Sequence, residues 1–483
     1  MAWYLWLIVA IAAAVVVFII YIVARAVLVK KRGTPLEERR EWYSEEKQIA
    51  YAQQLARMIQ CRTVSNKGTF EEHEEAFLAL NRTVEELFPT LHARAEKITT
   101  GKDGWLYKIP GRDASRNVLL MSHHDVVEAE GEWKHDPFGG EIIDGEIWGR
   151  GTVDTKTPLF GEMTALEELL QEGFEFPCNV WLGSSYNEEV AGDGIPLALQ
   201  YCKENGIRFE LVLDEGGAIV EPPVPGVSCM CAMLAVHEKG RHVLECEASD
   251  ASAHAGLAAK EETPIVRLAK FITEVDRKKP FITRLYPCVR ATFEGLAPYM
   301  SFPFRLIFAN IRLFWPVVKR VMPAVSPQAG AMLGTQCFFN KITGEGGNSP
   351  SAKVTASLRC IDDKDLALDI AEIRKIADKY GVTVRDGEGC EYHGPADISL
   401  PQFRFVEDCV HVVFPDVAAA PYLLPAGTDA RHMVDVCPCV VRFAPIRINN
   451  AQFKSVHSEN EHIDIRAVAD NVAFYRYFLE HYE

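Results

Sequence analysis

NVLLMSHHDVV, residues 117–127, begins as a short apolar run and ends in two histidines and an aspartate. Such a run, bounded by polar residues, reads as a strand buried on both faces. CNVWLGSS at 178–185 and FELVLDEGG at 209–217 have the same form. Between the first two, TPLFGEMTALEELLQEGF carries Leu159, Met163, Leu166 and Leu170 at helical spacing. Strands separated by helical segments build an α/β domain, a mainly parallel sheet with helices on both faces. Chemistry in these sheets collects at the C-terminal strand ends. All three strands end there in residue types that bind metal: His123 and Asp125, Glu188 and Glu189, Asp214 and Glu215.

Strand side chains alternate between faces, so His123 and Asp125 point one way and His124 the other. A carboxylate two residues from a ligating imidazole can accept its second N–H and fix the tautomer. His123 is therefore the expected ligand, Asp125 its orienter, and His124 a packed or hydrogen-bonded neighbour. Asp154 follows a glycine-rich turn in WGRGTVDTK. One histidine among several carboxylates suits two divalent cations such as zinc, whereas a structural zinc would use cysteines. Successive residues diverge, so one of Glu188 and Glu189 can bind metal while the other takes a proton from water.

Outward from this centre the chain divides into five expected parts. Residues 3–29 are apolar, with Trp3, Tyr4 and Trp6 at one end, and are long enough for a transmembrane helix. A cleaved signal peptide is the alternative, but the length and the trailing Arg25, Lys30, Lys31 and Arg32 favour a span with the following chain on the cytoplasmic side. A charged linker occupies 30–44, and the catalytic domain occupies 45–235 and 393–483. Between its halves, 236–392 reads as an inserted α+β domain. Within it FEGLAPYMSFPFRLIFANIRLFWPVVKRVMPAV, 293–325, is apolar and basic, a helical stretch packed on the insert or a surface touching bilayer or acyl chain. The net charge of −16 gives no basic footprint for nucleic acid. Thirteen scattered cysteines read as reduced thiols.

The ordered motifs resemble one family, the dizinc peptidases and amidohydrolases that include carboxypeptidase S, carnosinase, succinyl-diaminopimelate desuccinylase and the N-acyl-amino-acid hydrolases. H-x-D-V-V is matched at His123–Val127, W-x-x-D-P-F at Trp133–Phe138, and G-R-G-x-x-D at Gly149–Asp154. The E-E pair at Glu188 and Glu189 and D-E-G-G at Asp214–Gly217 follow. The resemblance implies a zinc-peptidase-like catalytic domain with a lid and dimerisation insert, and two metal ions, most readily Zn2+. Their ligands would be His123, Asp154 as bridge, Glu189, Asp214 and the late His457 of KSVHSENEHI, with Glu188 as general base beside Asp125 and His462 at the surface. It also implies His254 as an oxyanion-stabilising lid histidine, Asn340, Arg359, Gly427 and Thr428 as substrate contacts, and a cis peptide after Asp154.

Two departures from the family pattern stand out. Thr157 occupies a usual glycine, which would shift the following helix start, and NSPSA replaces N-V-I-P, which puts an Asn348 contact in doubt. The long FEGLAPYM insertion is similar to the carboxypeptidase S and N-fatty-acyl-amino-acid hydrolase branch. The expected activity is hydrolysis of a small peptide or N-acyl amino acid beside a free carboxylate, by a membrane-anchored homodimer. A dipeptidase or other deacylase of the family is the alternative, and a noncatalytic tethered binding protein the distant one.

Overall fold

The structure, a computed structural model, describes residues 2–29, 37–66, 70–249, 263–345, 351–389 and 393–483. Its largest sheet runs in the spatial order 96–100, 104–109, 178–184, 113–121, 211–214, 440–442, 231–238 and 418–424, with 219–220 paired to 231–238 off that path. The strands 178–184, 113–121, 211–214 and 440–442 are mutually parallel, as the strand–helix alternation predicts. Antiparallel pairs flank them, so the sheet is mixed rather than mainly parallel. Alternation along Asp113–Met121 sends Val118 and Leu120 into one core and Leu119 and Met121 into another, so both faces are covered. Helices Glu45–Ile59, Lys156–Gln171 and Ile465–His481 cover the first face, and Gly194–Glu204 the second. Thr157 does not delay its helix, which starts at Lys156; the Thr157 hydroxyl donates to the Thr152 carbonyl at 2.6 Å.

The insert contributes an antiparallel sheet in the order Gln336–Glu345, Ser351–Cys360, Gly240–Ser249 and Thr383–Gly389. Helices Pro264–Lys278 and Asp363–Lys379 pack against it around Leu244, Phe271, Val354 and Ile373, a core separate from that of the large sheet. Strand Cys231–Glu238 belongs to the large sheet, so the chain crosses between the two at Lys239. The helices between Pro287 and Ala331 do not pack on the insert. Their inward residues, among them Phe293, Phe308, Ile311, Val318 and Met322, join the core of the large sheet. Amphipathicity marks a face for burial without naming the surface that buries it.

The N-terminal helix spans Ala2–Leu28 and is long and apolar enough to cross a membrane. Its side chains from Trp3 to Tyr21 are exposed. Its last turns touch the rest of the protein, where Ala26 is buried and Asn310 Nδ2 donates to the Ile22 carbonyl at 3.0 Å.

Candidate active site

His123 lies just beyond the end of strand Asp113–Met121, where the extended chain still alternates. Its Nε2 is 3.1 Å from Asp154 Oδ1, and its Nδ1 is 3.2 Å from Asp125 Oδ1. His124 points the other way, fully buried and stacked on Trp105 at 4.0 Å between centroids. Its Nδ1 pairs with Ser184 Oγ at 2.8 Å and its Nε2 lies 3.4 Å from Asp103. The two adjacent histidines therefore serve different partners.

Asp125 ties the site together. Its Oδ1 accepts the Glu188 backbone N–H and its Oδ2 the Glu189 backbone N–H, each at 3.1 Å. Ser65 Oγ donates to Oδ2 at 2.5 Å. Burial alone would raise the Asp125 carboxyl, but His123 and Ser65 hold it below its ordinary value. One buried carboxylate thus positions both the imidazole and the paired glutamates.

Asp154 sits between two histidines, with Oδ1 facing His123 and Oδ2 3.0 Å from His457 Nε2. Its peptide bond to Thr155 is cis. His457 Nε2 is also 3.0 Å from Glu189 Oε2. The His457 backbone has φ of 55°, a left-handed conformation uncommon outside glycine and concentrated at functional sites. Hydrogen bonds to Asp154 and Glu189 push the His457 ring up to about 10. Burial would lower the His123 ring, but Asp125 and Asp154 raise it well above its usual value.

This donor set fits a pair of divalent cations. One ligand atom each from His123, Asp154 and Glu189 lies within 4.8 Å of the others, and Glu189 Oε1 is buried with no hydrogen-bond partner. Burial also pushes Glu188, Glu189, Asp214, Glu215 and Asp429 above the usual carboxylate range, and mutual repulsion adds to it. Carboxylates so arranged are stabilised by bound positive charge.

Asp214 and Glu215 divide differently from the expectation. Asp214 Oδ2 accepts the Ala430 N–H at 2.8 Å, and Asp214 lines a narrow crevice with His123, Glu188 and Glu215 rather than the open cavity. Glu215 lines the open cavity with Asp154, Glu188, Glu189 and His457. After burial, the Asp154 charge is what raises Glu215 most, and His123 opposes it. Strand pairing ends at Asp214, and Gly216 follows with φ of 114°, so strand alternation gives no guide at this turn.

The cavity has a volume of about 450 Å³. The carboxylates and His457 form one end, and Met233, Tyr422, Leu424, Ile446 and Phe453 are among its apolar walls. Gly427 and Thr428 line it too, but the Thr428 hydroxyl and N–H both point to Glu238 Oε2, at 3.1 and 3.2 Å. Arg442 Nε donates to the same oxygen at 3.0 Å, so a buried Glu238–Arg442 pair holds this loop. Asn340 and Arg359 do not line the cavity; Asn340 donates to Ser357 Oγ at 2.8 Å on the insert's own sheet. His254 and Asn348 lie outside the described residues. His462 is half-buried against Trp148 rather than at the surface, with centroids 4.2 Å apart.

Three further residues position the site, though the motif reading gives none of them a role. Glu461 is fully buried, and its Oε1 accepts the N–H groups of Val153 and Asp154 at 2.7 and 3.1 Å. Its Oε2 takes Arg150 Nη1 at 2.7 Å. Arg431 stands beside Gly427, where a Cβ would come within 2.7 Å of its Nη1. Arg150 and Glu461 lie inside quoted motifs, four residues from Asp154 and from His457, and Arg431 lies three residues after Thr428.

Comparison with known proteins agrees with this geometry. Residues 119–481 match the model of peptidase family M20/M25/M40. A probable carboxypeptidase S-like 2 from Dictyostelium discoideum is 27% identical over 450 residues, covering 90% of this chain and 85% of the relative. The human N-fatty-acyl-amino acid synthase/hydrolase PM20D1 is 28% identical over 449 residues, covering 89% and 88%. Among solved structures, an M20 family metallo-carboxypeptidase from Sulfolobus solfataricus superimposes with a TM-score of 0.63 at 18% identity, covering 91% of this chain and 99% of its own. Human carnosine dipeptidase 1 gives 0.59 at 15% identity, covering 90% and 97%. With its family model matched over most of its length and its acidic cluster at the carboxyl end of the sheet, the chain belongs to peptidase family M20/M25/M40 and is a metallopeptidase or amidohydrolase.

Proposed function

We propose that the protein is a dizinc hydrolase that cleaves an N-acyl amide or peptide bond next to a free carboxylate, with an extended apolar group on the acyl side. The observation that carries this reading is the cavity with two chemistries: Glu188, Glu189, Asp154 and His457 at one end, apolar walls beyond. A mostly apolar slot with a few convergent polar groups takes an extended hydrophobic substrate. The names of relatives that act on N-fatty-acyl amino acids agree with that shape.

His123, Asp154, Glu189 and His457 would hold the metal ions, with Asp154 shared between them. Glu215 is the better candidate than Asp214 for the remaining ligand, because it lines the cavity. When bound, the cations supply Lewis-acid charge for the carbonyl oxygen and ease deprotonation of the attacking water. Glu188 receives the water proton and returns it to the leaving amine, held on target by Asp125 through the backbone N–H groups of the glutamate pair. His254 would stabilise the oxyanion. Gly427 and Thr428 would place the loop that meets the substrate carboxylate, with the Arg431 guanidinium beside Gly427. Asn340 and Arg359 would act from the insert's sheet, which is also the surface for a homodimer. The helix Trp3–Leu28 would anchor the enzyme with its catalytic domain on the cytoplasmic side.

The test is release of free amino acid by the purified zinc-loaded protein from a panel of N-acyl amino acids of rising chain length and from dipeptides. Wild type is expected to favour longer acyl chains, and Glu188→Gln to lose about 10²- to 10⁴-fold in kcat, the range for removing a general base. No release from any member of the panel, or an unaffected Glu188→Gln, overturns the reading.

A further inference from the structure

Residues 295–344 contain no Asp or Glu, although the chain as a whole carries 67 of them. The same stretch holds Arg305, Arg312, Lys319, Arg320 and Lys341. Within it the helix Ile311–Val325 is apolar on two faces. Ile311, Val318 and Met322 face the core. Leu313, Val317, Val321 and Val325, each one turn after the last, are 45%, 59%, 50% and 55% exposed. Arg312 and Arg320 are exposed beside this stripe. Four aliphatic side chains in a row, in a stretch of chain that carries cations and no acid, are not an ordinary solvated helix face.

The position of the helix identifies what covers the stripe. Asn310, the residue before its first turn, donates to the Ile22 carbonyl of the N-terminal helix. From that contact outward, Trp3–Tyr21 is exposed and about 28 Å long at 1.5 Å per residue. That length is close to the roughly 30 Å of a bilayer's hydrocarbon core. The stripe therefore begins at the level where the apolar helix would leave the hydrocarbon.

We propose that the helix Ile311–Val325 lies in the surface of an anionic bilayer, with Leu313, Val317, Val321 and Val325 among the upper acyl chains and Arg312 and Arg320 at the phosphates. Apolar burial and electrostatic attraction together are what hold an amphipathic helix in this plane. The assignment rests on the anchoring role given to Trp3–Leu28, and it is independent of the chemistry at Glu188.

The full-length protein, reconstituted in phosphatidylcholine vesicles with and without phosphatidylserine, is labelled by a phosphatidylcholine carrying a photoactivatable group on its acyl chain. Adducts are then mapped by peptide mass spectrometry. Adducts are expected on both Trp3–Tyr21 and Ile311–Val325, with those on Ile311–Val325 increasing when phosphatidylserine is present. Val317→Glu combined with Val321→Glu should abolish the second set, keep the first, and leave hydrolysis of a soluble dipeptide unchanged. Adducts confined to Trp3–Tyr21 overturn the proposal while sparing the anchor, as they would if a second protein covered the stripe. Adducts confined to Ile311–Val325 remove the anchor and overturn the proposal in this form, and adducts on neither overturn both.

Discussion

The carboxyl end of the large sheet and the helices from Pro287 to Ala331 handle charge in opposite ways. At the sheet end, Asp125, Asp154, Glu188, Glu189, Glu215 and Asp429 converge, and burial raises most of them. Along the helices no acid occurs between Gly295 and Gly344. Burying a charge is costly unless it is paired or coordinates a cation. The first region is shaped around bound positive charge, while the second offers positive charge and apolar side chains to a surface outside the protein. A net charge of −16 averages over this division and conceals it.

The largest effects should separate neighbouring residues at the sheet end. His123→Ala and Glu215→Ala are expected to lower bound zinc, measured per chain by elemental mass spectrometry, and to remove detectable hydrolysis. His124→Ala deletes a buried ring stacked on Trp105 and should cost stability of about 2–4 kcal/mol, as core truncations do, with zinc content unchanged. Asp214→Asn should likewise keep its zinc, because Asp214 is engaged by the Ala430 N–H. A zinc loss in His124→Ala matching that of His123→Ala would undo the division of roles between the two histidines.

A smaller effect is expected one layer out, at Glu461. Glu461→Ala leaves the Arg150 guanidinium buried without its carboxylate partner, a change worth about 3–5 kcal/mol by urea unfolding. It also frees the backbone N–H groups of Val153 and Asp154, so zinc affinity should fall about 10- to 100-fold, as for other groups that orient ligands. Glu461→Gln keeps an acceptor for those N–H groups and should recover most of the affinity while remaining less stable. Equal affinity loss in both variants would mean that the charge, rather than the hydrogen bonds, sets the Asp154 loop.

Much of the catalytic layer was legible because period-two alternation and period-3.6 spacing report directly on burial. The strands Asp113–Met121 and Cys178–Ser184 and the opposite orientations of His123 and His124 follow from those periods. Legibility ended where periodicity did. At the Asp214–Gly217 turn the backbone leaves the strand, and Glu215 reaches the cavity that the motif position had given to Asp214. The helices from Pro287 to Ala331 read as amphipathic, yet their packing on the large sheet is a tertiary choice that an apolar stripe does not specify. Arg150 and Glu461 form a contact across 311 positions, and sequence spacing carries no trace of such a pair.

A further effect is expected where the large sheet passes into the insert. Lys239 stands at the crossing from the large sheet to the insert, and its ammonium is buried. Its hydrogen-bond acceptors are the Gly334 carbonyl at 2.6 Å and Gln336 Oε1 at 3.3 Å, both in the acid-free stretch. Burial lowers this amine from 10.5 to about 7. Between those two values the unfolded chain binds a proton that the folded chain does not, so stability from this group rises with pH across that window and is level below about 7. The rise is a few kcal/mol at about 1.4 kcal/mol per pH unit. In Lys239→Met, urea midpoints compared with wild type from pH 6 to 10 should lose that slope. The same slope in both proteins would mean that the amine is solvated.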